Sequence, residues 1–462
     1  MPSRLSLRFA LFALALLGAL LLGAAPARAA EPGVVADLTW YVPDSDKQRT
    51  GELLDELGSR WVRLHVRWRE AEPQPGVFDE WWMDEYENAL TYAEAAGQQV
   101  VLMISEAPAW ASGDPAHNVP ADPRLFANFL ERFAERFEGR VAAYEIWNEP
   151  NIERFWSTGP DAAEYAALLA ASHAVLREAD PEALVVFGGL STNDYDFLEA
   201  AYDAGAKGHF DVLATHPYPY CGSSGPAAVS YSGGRISRDS FTGYRELRAS
   251  MLARGDDKPI WITEFGWNTS QVACDPGSGQ WQGGVSEQAQ AEHLTQALRI
   301  LESDPYVEVA IWYALRNNVW SATPDDPAEP EANFGLVRTD FAPKPAFYAF
   351  KDYANPAPQK TATTLKRFQN TNSTAHKPQA VGRVRNADEG WVRIVVRKRK
   401  NNGKWRAWEK VEVPVGPDGS FQKRVSTEKK GTYRIFARYL GTPRFRPSVS
   451  PKRPWDVARD KN

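Results

Sequence analysis

Eight units, each a short apolar run followed by an amphipathic stretch, repeat without interruption over residues 31–355. In the stretches 126–137 and 287–301, apolar residues recur every three or four positions, which is typical of helices. Eight strand–helix units in one block favour a (β/α)8 barrel. A doubly wound open sheet is the alternative, but no glycine-rich phosphate-binding turn follows the first strand. The predicted strands begin near Val34, Trp61, Val100, Val141, Leu184, Val212, Ile260 and Val309.

The distribution of charge predicts a second domain. Residues 357–462 hold 26 Lys and Arg against 8 Asp and Glu, whereas residues 1–356 hold 27 against 51. The Pro-rich stretch 355–358 lies where the sign changes, and we place the domain boundary there. Beyond it, alternating runs at 391–396 and 432–437 are separated by turn signals such as Asn402-Gly403. This spacing predicts a small Ig-like β-sandwich over residues 360–450.

The basic domain has two open interpretations. Its surface could hold an anionic polymer, such as an acidic polysaccharide, or it could be a solvated face without a partner. No nucleic-acid partner is expected, because the chain has no recognisable nucleic-acid motif. We expect the protein to be a monomer.

The first 29 residues resemble a secretory signal peptide. Arg4 and Arg8 precede the apolar run 9–22, and Ala27-Arg28-Ala29 follows as a cleavage pattern. The run is shorter than the roughly 20 residues that span a bilayer, which favours cleavage over a retained anchor. We therefore expect a secreted or extracytoplasmic protein. Export makes Cys221 and Cys274 candidates for one disulfide, and their spacing predicts no metal site.

Two of the predicted strands end in glutamate. The fourth runs AYEIWNEPN over 143–151 and the seventh runs IWITEFGW over 260–267, which places Glu149 and Glu264 at strand ends. In such barrels the carboxyl ends of all strands meet at one face, where the active site lies. Carboxylates among aromatic residues are costly to bury unless they are paired or used. Glycoside hydrolysis requires such a pair, one acid to protonate the leaving oxygen and one carboxylate opposite it.

The WNEP stretch at 147–150 and the ITEFGW stretch at 262–267 resemble clan A of the glycoside hydrolases, the retaining (β/α)8 enzymes that include families 5, 10 and 39. The resemblance covers most of residues 34–352. It implies that Glu149 is the general acid/base and Glu264 the nucleophile in double-displacement hydrolysis of a β-linked polysaccharide or oligosaccharide. It implies no metal and no organic cofactor, since two carboxylates and water suffice.

The same resemblance implies roles for residues around the two glutamates. Asn148 matches the asparagine that binds the sugar 2-hydroxyl, and Arg63 matches the arginine beside the nucleophile. His216 and Tyr218 match the clan's His-x-Tyr stretch, so that His216 would bind substrate or order the nucleophile and Tyr218 would hydrogen-bond Glu264. A satisfied core histidine and a simple buried ion pair are the structural alternatives for His216 and Arg63.

Several tryptophans are candidate sugar platforms. Trp312 on the eighth strand resembles the clan's platform beneath the sugar at the cleavage site, although packing is the alternative for every such residue. Glu106 departs from the histidine or asparagine of several clan families, and Glu145 is expected to be structural. Further platform candidates lie in loops: Trp40, Trp110, Trp267 and Trp320.

The loops after strands six and seven carry Cys221 and Cys274, and a disulfide between them would tether both loops beside the substrate groove. Two other functions are compatible with the motifs. The chain could be a non-catalytic carbohydrate-binding or adhesion protein, or a transglycosylase that passes the intermediate to a sugar. A binding protein would release no aryl alcohol from activated aryl β-glycosides, which separates it from an enzyme.

Overall fold

In the computed structural model, the chain divides between Ala354 and Asn355 into two compact units. The predicted signal peptide, residues 1–29, lies outside the described residues. The structure describes residues 30–39, 41–219, 221–275, 283–319, 323–355, 360–368, 379–401, 403, 405–425, 430–441 and 445–457. We refer to the two parts as the barrel unit and the sandwich unit.

The barrel unit contains a closed parallel barrel of eight strands, which confirms the predicted fold. Each strand pairs with the next in the chain, and β8 closes onto β1. The strands are β1 Glu31–Val35, β2 Trp61–Arg67, β3 Gln99–Ser105, β4 Ala143–Ile146, β5 Leu184–Ser191, β6 Val212–His216, β7 Ile260–Phe265 and β8 Val307–Trp312.

One long helix follows each strand. Among the described residues, no helix is both long and apolar enough to cross a membrane. The helices are α1 Asp44–Leu57, α2 Glu80–Ala95, α3 Pro123–Arg136, α4 Ala162–Ala179, α5 Tyr195–Asp203, α6 Tyr244–Ala253, α7 Glu287–Glu302 and α8 Pro345–Ala354. The loops add short helical turns at Trp68–Ala71, Ala109–Ser112, Phe241–Gly243 and Pro330–Asn333, and a small hairpin of Tyr231–Ser232 with Arg235–Ile236.

The sequence encodes the helix starts through side-chain caps. The Asp122 carboxylate accepts a hydrogen bond from the backbone N–H of Arg124 at the start of α3, and Pro123 occupies the first turn. The apolar face of α3 then buries Phe126 and Phe133 against the barrel. Asp79, Asp161, Asp194 and Ser286 cap α2, α4, α5 and α7 in the same way.

The interior of the barrel changes from apolar to polar along its axis. Near the amino ends of the strands, Trp61 and Trp261 pack edge to face with ring centroids 4.7 Å apart, together with Val309 and Ile311. Side chains alternate between interior and exterior along a strand. The next inward position on β2 is therefore Arg63, and the polar end of the interior is the end where the strands finish.

The sandwich unit consists of two antiparallel sheets, which confirms the predicted β-sandwich. One sheet has the order β9–β10–β13, and the other has the order β12–β11–β14–β15 with β16 also paired to β14. Leu365, Ile394 and Phe421 from the two sheets share one core. The strands are β9 Ala362–Phe368, β10 Gln379–Arg385, β11 Trp391–Arg399, β12 Trp405–Pro414, β13 Ser420–Arg424, β14 Gly431–Tyr439, β15 Ser448–Val449 and β16 Arg453–Val457.

Candidate active site

A cavity of about 730 Å³ opens at the carboxyl ends of the barrel strands. Glu149 and Glu264 both line it, together with Asn148, Arg63 and Tyr218. The structure thus brings together five residues that the sequence places on four different strands or their following loops. A cavity of this size is typical of sites for small ligands.

Glu264 on β7 is held by two donors. Arg63 Nη1 donates to its Oε1 at 2.6 Å, and the Tyr218 hydroxyl donates to its Oε2 at 3.1 Å. Burial works against the charge of Glu264, but the charges of His216 and Arg63 and the Tyr218 hydrogen bond outweigh it and hold the pKa of Glu264 below its ordinary value. This carboxylate is therefore both oriented and ionised at neutral pH.

The Glu145 carboxylate holds the Arg63 guanidinium group in place. Arg63 Nε donates to Glu145 Oε2 at 2.6 Å, and Arg63 Nη2 donates to Asn148 Oδ1 at 2.9 Å. Glu145 is fully buried and also accepts hydrogen bonds from the Gly189 N–H at 2.9 Å and the Thr263 hydroxyl at 3.0 Å. Burial opposes the charge on Arg63, but the two carboxylates hold its pKa above the ordinary value. Arg63 is thus a fixed cation rather than part of an isolated ion pair.

His216 connects the two glutamates that line the cavity. Its Nδ1 lies 3.0 Å from Glu149 Oε1 and 3.8 Å from Glu264 Oε2, so these two oxygens are no more than about 6.8 Å apart, the sum of the two distances. The imidazole is fully buried. A Cβ on Gly189 would lie 2.1 Å from His216 Nε2, so only glycine leaves room for the ring there.

Thr263 supplies a hydrogen-bond acceptor for His216 Nε2. Its hydroxyl donates to Glu145, so its oxygen is free to accept the hydrogen bond from His216 Nε2, 3.1 Å away. Nδ1 then faces Glu149, and the pair can share one proton. Burial lowers the pKa of His216, but the carboxylates of Glu264 and Glu149 outweigh burial and raise it.

Trp312 does not face the cavity. Its side chain is fully buried, packs edge-on against Phe265 and donates from its indole N–H to the Phe334 carbonyl at 3.2 Å. The reason is strand alternation: Ile311 lies in the barrel interior, so Trp312 faces the helices and Tyr313 faces the cavity. The position of Trp312 therefore does not support the prediction that it is a sugar platform. Tyr313, which directly follows β8, is the aromatic residue that faces the cavity.

Of the other tryptophan candidates, Trp267 lines the cavity and Trp110 does not. The Trp110 indole donates to the Glu72 carbonyl at 3.1 Å and packs edge-on against Trp68, so the structure assigns this side chain to packing. Trp267 lines the cavity although it is almost completely buried. Trp40 and Trp320 lie outside the described residues.

Several cavity residues were not identified from the sequence. Asp37, Arg154 and Glu331 follow β1, β4 and β8 in loops without periodicity, and all three line the cavity. Burial raises the pKa of Asp37, and the charge of Arg316 only partly offsets this. Glu106 also lines the cavity and pairs with Arg69 at 2.8 Å.

A disulfide joins Cys221 and Cys274, as predicted, with the two Cα atoms 5.6 Å apart. It connects the loop after β6 to the loop after β7. The Trp267 indole donates to the Ser224 carbonyl at 2.8 Å and adds a second link between the same loops. These loops bear directly on the site because Gly222 and Trp267 both line the cavity.

A closed (β/α)8 barrel whose β4 and β7 bring two glutamates into one cavity defines a glycosidase scaffold. Residues 27–312 match the family described as Cellulase (glycosyl hydrolase family 5), and the chain belongs to this family. The resemblance to clan A is thereby confirmed.

Individual relatives are more distant. A beta-xylosidase of Geobacillus stearothermophilus is 26% identical over 238 residues, which cover 49% of this chain and 43% of that protein. This chain thus spans less than half the length of that relative. Among solved structures, a family 39 glycoside hydrolase of Bacteroides cellulosilyticus WH2 aligns over 86% of this chain and 81% of its own, with 19% identity and a TM-score of 0.57. GH5_18 of Streptomyces cattleya aligns over 72% and 84%, with 15% identity and a TM-score of 0.54. These two structures share the fold.

Proposed function

We propose that this chain hydrolyses β-linked oligosaccharides or polysaccharides with retention of configuration, with Glu264 as the nucleophile and Glu149 as the general acid/base. The observation that carries the proposal is the difference between the partners of the two carboxylates. Glu264 accepts from Arg63 and Tyr218, whereas Glu149 contacts the titratable nitrogen of His216. The first set of partners stabilises a charge, and the second can exchange a proton.

The separation of the glutamates supports a direct attack. Retaining enzymes hold the two carboxyl groups about 5–5.5 Å apart and inverting enzymes about 6.5–9.5 Å. The upper bound of about 6.8 Å between Glu149 Oε1 and Glu264 Oε2 includes the retaining range. The two carboxylates are therefore close enough to act on the same glycosidic bond.

The reaction would proceed in two steps. In the first, Glu149 gives its proton to the glycosidic oxygen while a Glu264 oxygen bonds to the anomeric carbon, and the carbon–oxygen bond to the leaving sugar breaks. In the second, Glu149 takes a proton from water, the water oxygen bonds to the anomeric carbon and the ester to Glu264 breaks. Asn148 would bind the sugar 2-hydroxyl, and Tyr313 would contact the ring.

A carbohydrate with several free hydroxyls suits the rest of the cavity. Asp37 and Glu331 can accept hydrogen bonds from hydroxyl groups, and Arg154 can donate them. The name of the curated relative, a beta-xylosidase, supports a β-linkage. Both observations concern the class of substrate and leave the particular sugar to experiment.

Kinetics on aryl β-glycosides test the assignment. Glu264→Gln should remove turnover by at least about 10³-fold, because no covalent intermediate can form. Glu149→Ala should still release a good leaving group such as dinitrophenol in the first step, and azide should restore turnover by attacking the intermediate. Asp239→Asn removes a carboxylate from the same cavity wall and is the control, with kcat within a few-fold of wild type. Proton NMR should show the β-anomer as the first product, and initial release of the α-anomer would refute retention.

We propose in addition that the protein is exported and that residues 1–29 are removed. The disulfide between Cys221 and Cys274 supports export, because disulfides persist mainly in oxidising compartments. Mass spectrometry of the protein recovered outside the cytoplasm should show a chain that begins at Ala30. A recovered chain that retains Met1 would contradict this proposal.

A further inference from the structure

One face of the larger sheet in the sandwich unit carries a cluster of cationic side chains. The strand register places Arg393 directly opposite Arg438, and Arg397 directly opposite Arg434, on β11 and β14. Ile394 on β11 is buried in the core. Because side chains alternate, the arginines lie together on the opposite, outward face. We call this surface the arginine face, and its cations are Arg393, Arg397, Arg399, Lys410, Arg434 and Arg438.

Few acidic groups balance these cations. Arg393 donates from Nε to Glu412 at 2.7 Å, and Asp456 lies at the edge of the same face, opposite Thr432. Within the described part of the chain, the other five cations have no carboxylate partner. The Nε atoms of Arg397 and Arg434 are shielded from solvent and have no hydrogen-bond acceptor there.

This arrangement is unfavourable for the isolated sheet. Like charges placed directly opposite each other on neighbouring strands destabilise a sheet, and the arginine face contains two such pairs. Neither pair contributes to the core, which the opposite face of the sheet forms. An anionic ligand would relieve the repulsion and supply the missing acceptors.

Aromatic rings hold some of these guanidinium groups in place. The Arg434 guanidinium carbon lies 4.4 Å from the centroid of the Trp405 ring, and that of Arg397 lies 6.0 Å from the Phe436 ring. Trp391 is 52% exposed at the start of β11. It lies an even number of residues from Arg393 and Arg397, so its side chain is on the same side of the sheet. Stacking orients a guanidinium group and leaves its N–H edge available for a carboxylate. The exposed indole offers an apolar surface to the C–H face of a sugar ring.

We propose that the arginine face binds an acidic polysaccharide whose sugars carry carboxylate groups. Charge complementarity calls for an anion, planar guanidinium forks suit carboxylates, and interleaved rings suit sugars. A polysaccharide is favoured over other polyanions because the chain belongs to a glycoside hydrolase family. The proposal concerns binding alone and does not depend on the roles of Glu149 and Glu264, so a failure of either proposal leaves the other standing.

Calorimetric titration of the full chain with polygalacturonate tests this proposal, with fully methyl-esterified polygalacturonate as the uncharged match. We expect binding of the charged polymer that weakens with added salt, and at least tenfold weaker binding of the esterified polymer. Arg397→Gln with Arg434→Gln should weaken binding by about tenfold or more, because two charge-assisted contacts are lost. Lys423→Gln with Arg424→Gln is the matched control, since it removes the same charge from exposed positions on β13 and should change affinity less than twofold.

A second double variant separates a loss of binding from a loss of folding. Arg438→Gln with Lys410→Gln changes two exposed side chains and should reproduce the loss of binding while aryl glycoside turnover stays unchanged and the melting temperature does not fall. Equal losses in the control and in the arginine-face variants would overturn the proposal, since binding would then depend only on total charge. So would tighter binding of duplex DNA or of phosphatidylglycerol vesicles than of polygalacturonate.

Discussion

Replacement of Thr263 by valine should disturb catalysis through His216 rather than through the fold. The substitution removes the acceptor 3.1 Å from His216 Nε2, whereas Glu145 keeps hydrogen bonds from Arg63 and Gly189. One buried N–H therefore loses its partner, at a cost of about 1–3 kcal/mol. The cost falls on the protonated ring, so Thr263→Val should lower the pKa of His216, which the carboxylates of Glu264 and Glu149 raise in the wild type.

The ring then loses its proton, and with it the positive charge beside Glu149 and Glu264, at lower pH than in the wild type. A cost of 1–3 kcal/mol corresponds to about 5- to 150-fold in kcat/KM. We expect Thr263→Val to fall in this range and the alkaline limb of its pH profile to move to lower pH, with Thr263→Ser close to wild type because it retains the hydroxyl. The assay is kcat/KM for an aryl β-glycoside between pH 4 and 9. An unshifted pH profile, or equal damage in Thr263→Ser, would refute this argument.

Three further predictions concern stability and binding. Cys221→Ser with Cys274→Ser opens a link across 53 residues and should lower the free energy of unfolding by up to about 4 kcal/mol, measured with denaturant under non-reducing conditions. Trp312→Ala should lower the free energy of unfolding by about 3–5 kcal/mol and change KM little. Tyr313→Ala should raise KM. A large effect of Trp312→Ala on KM would contradict the assignment of Trp312 to the core. Folding lowers the pKa of Glu264, so the charge of this carboxylate stabilises the fold above about pH 4, and the stabilisation is lost as the pH falls through the pKa of the folded state. The difference in free energy of unfolding between wild type and Glu264→Gln should therefore narrow in acid. A difference that stays constant with pH would disagree with the lowered pKa.

The catalytic face could be predicted because its position depends on where strands end. Glu149 and Glu264 follow recognisable strands, and parallel strands of a barrel bring their carboxyl ends to one face. The structure places both glutamates in the same cavity. The neighbours of Glu264, Arg63 and Tyr218, follow only from the resemblance to clan A, which matches them to residues beside the nucleophile.

Side-chain direction on β8 could not be predicted in the same way. The run VEVAIW is apolar on both faces in its second half, and strands of parallel sheets are buried on both sides, so their pattern does not show which residues face inward. Only the resemblance to clan A points to Trp312 as a platform, and in the structure Tyr313 faces the cavity instead. Asp37 and Arg154 were missed for another reason: they lie in loops, where no periodicity relates sequence to direction.

Residues 1–356 and 357–462 carry opposite net charges, and this has a practical consequence for purification. A formal net charge of −6 suggests a weakly acidic protein, but it is the difference between a strongly acidic and a strongly basic segment. Such a chain should be retained by both anion and cation exchange resins at neutral pH. In dilute buffer, where electrostatic interactions extend to about 30 Å at 0.01 M salt, the acidic segment of one molecule should attract the basic segment of another. Purification and storage should therefore be carried out at moderate ionic strength.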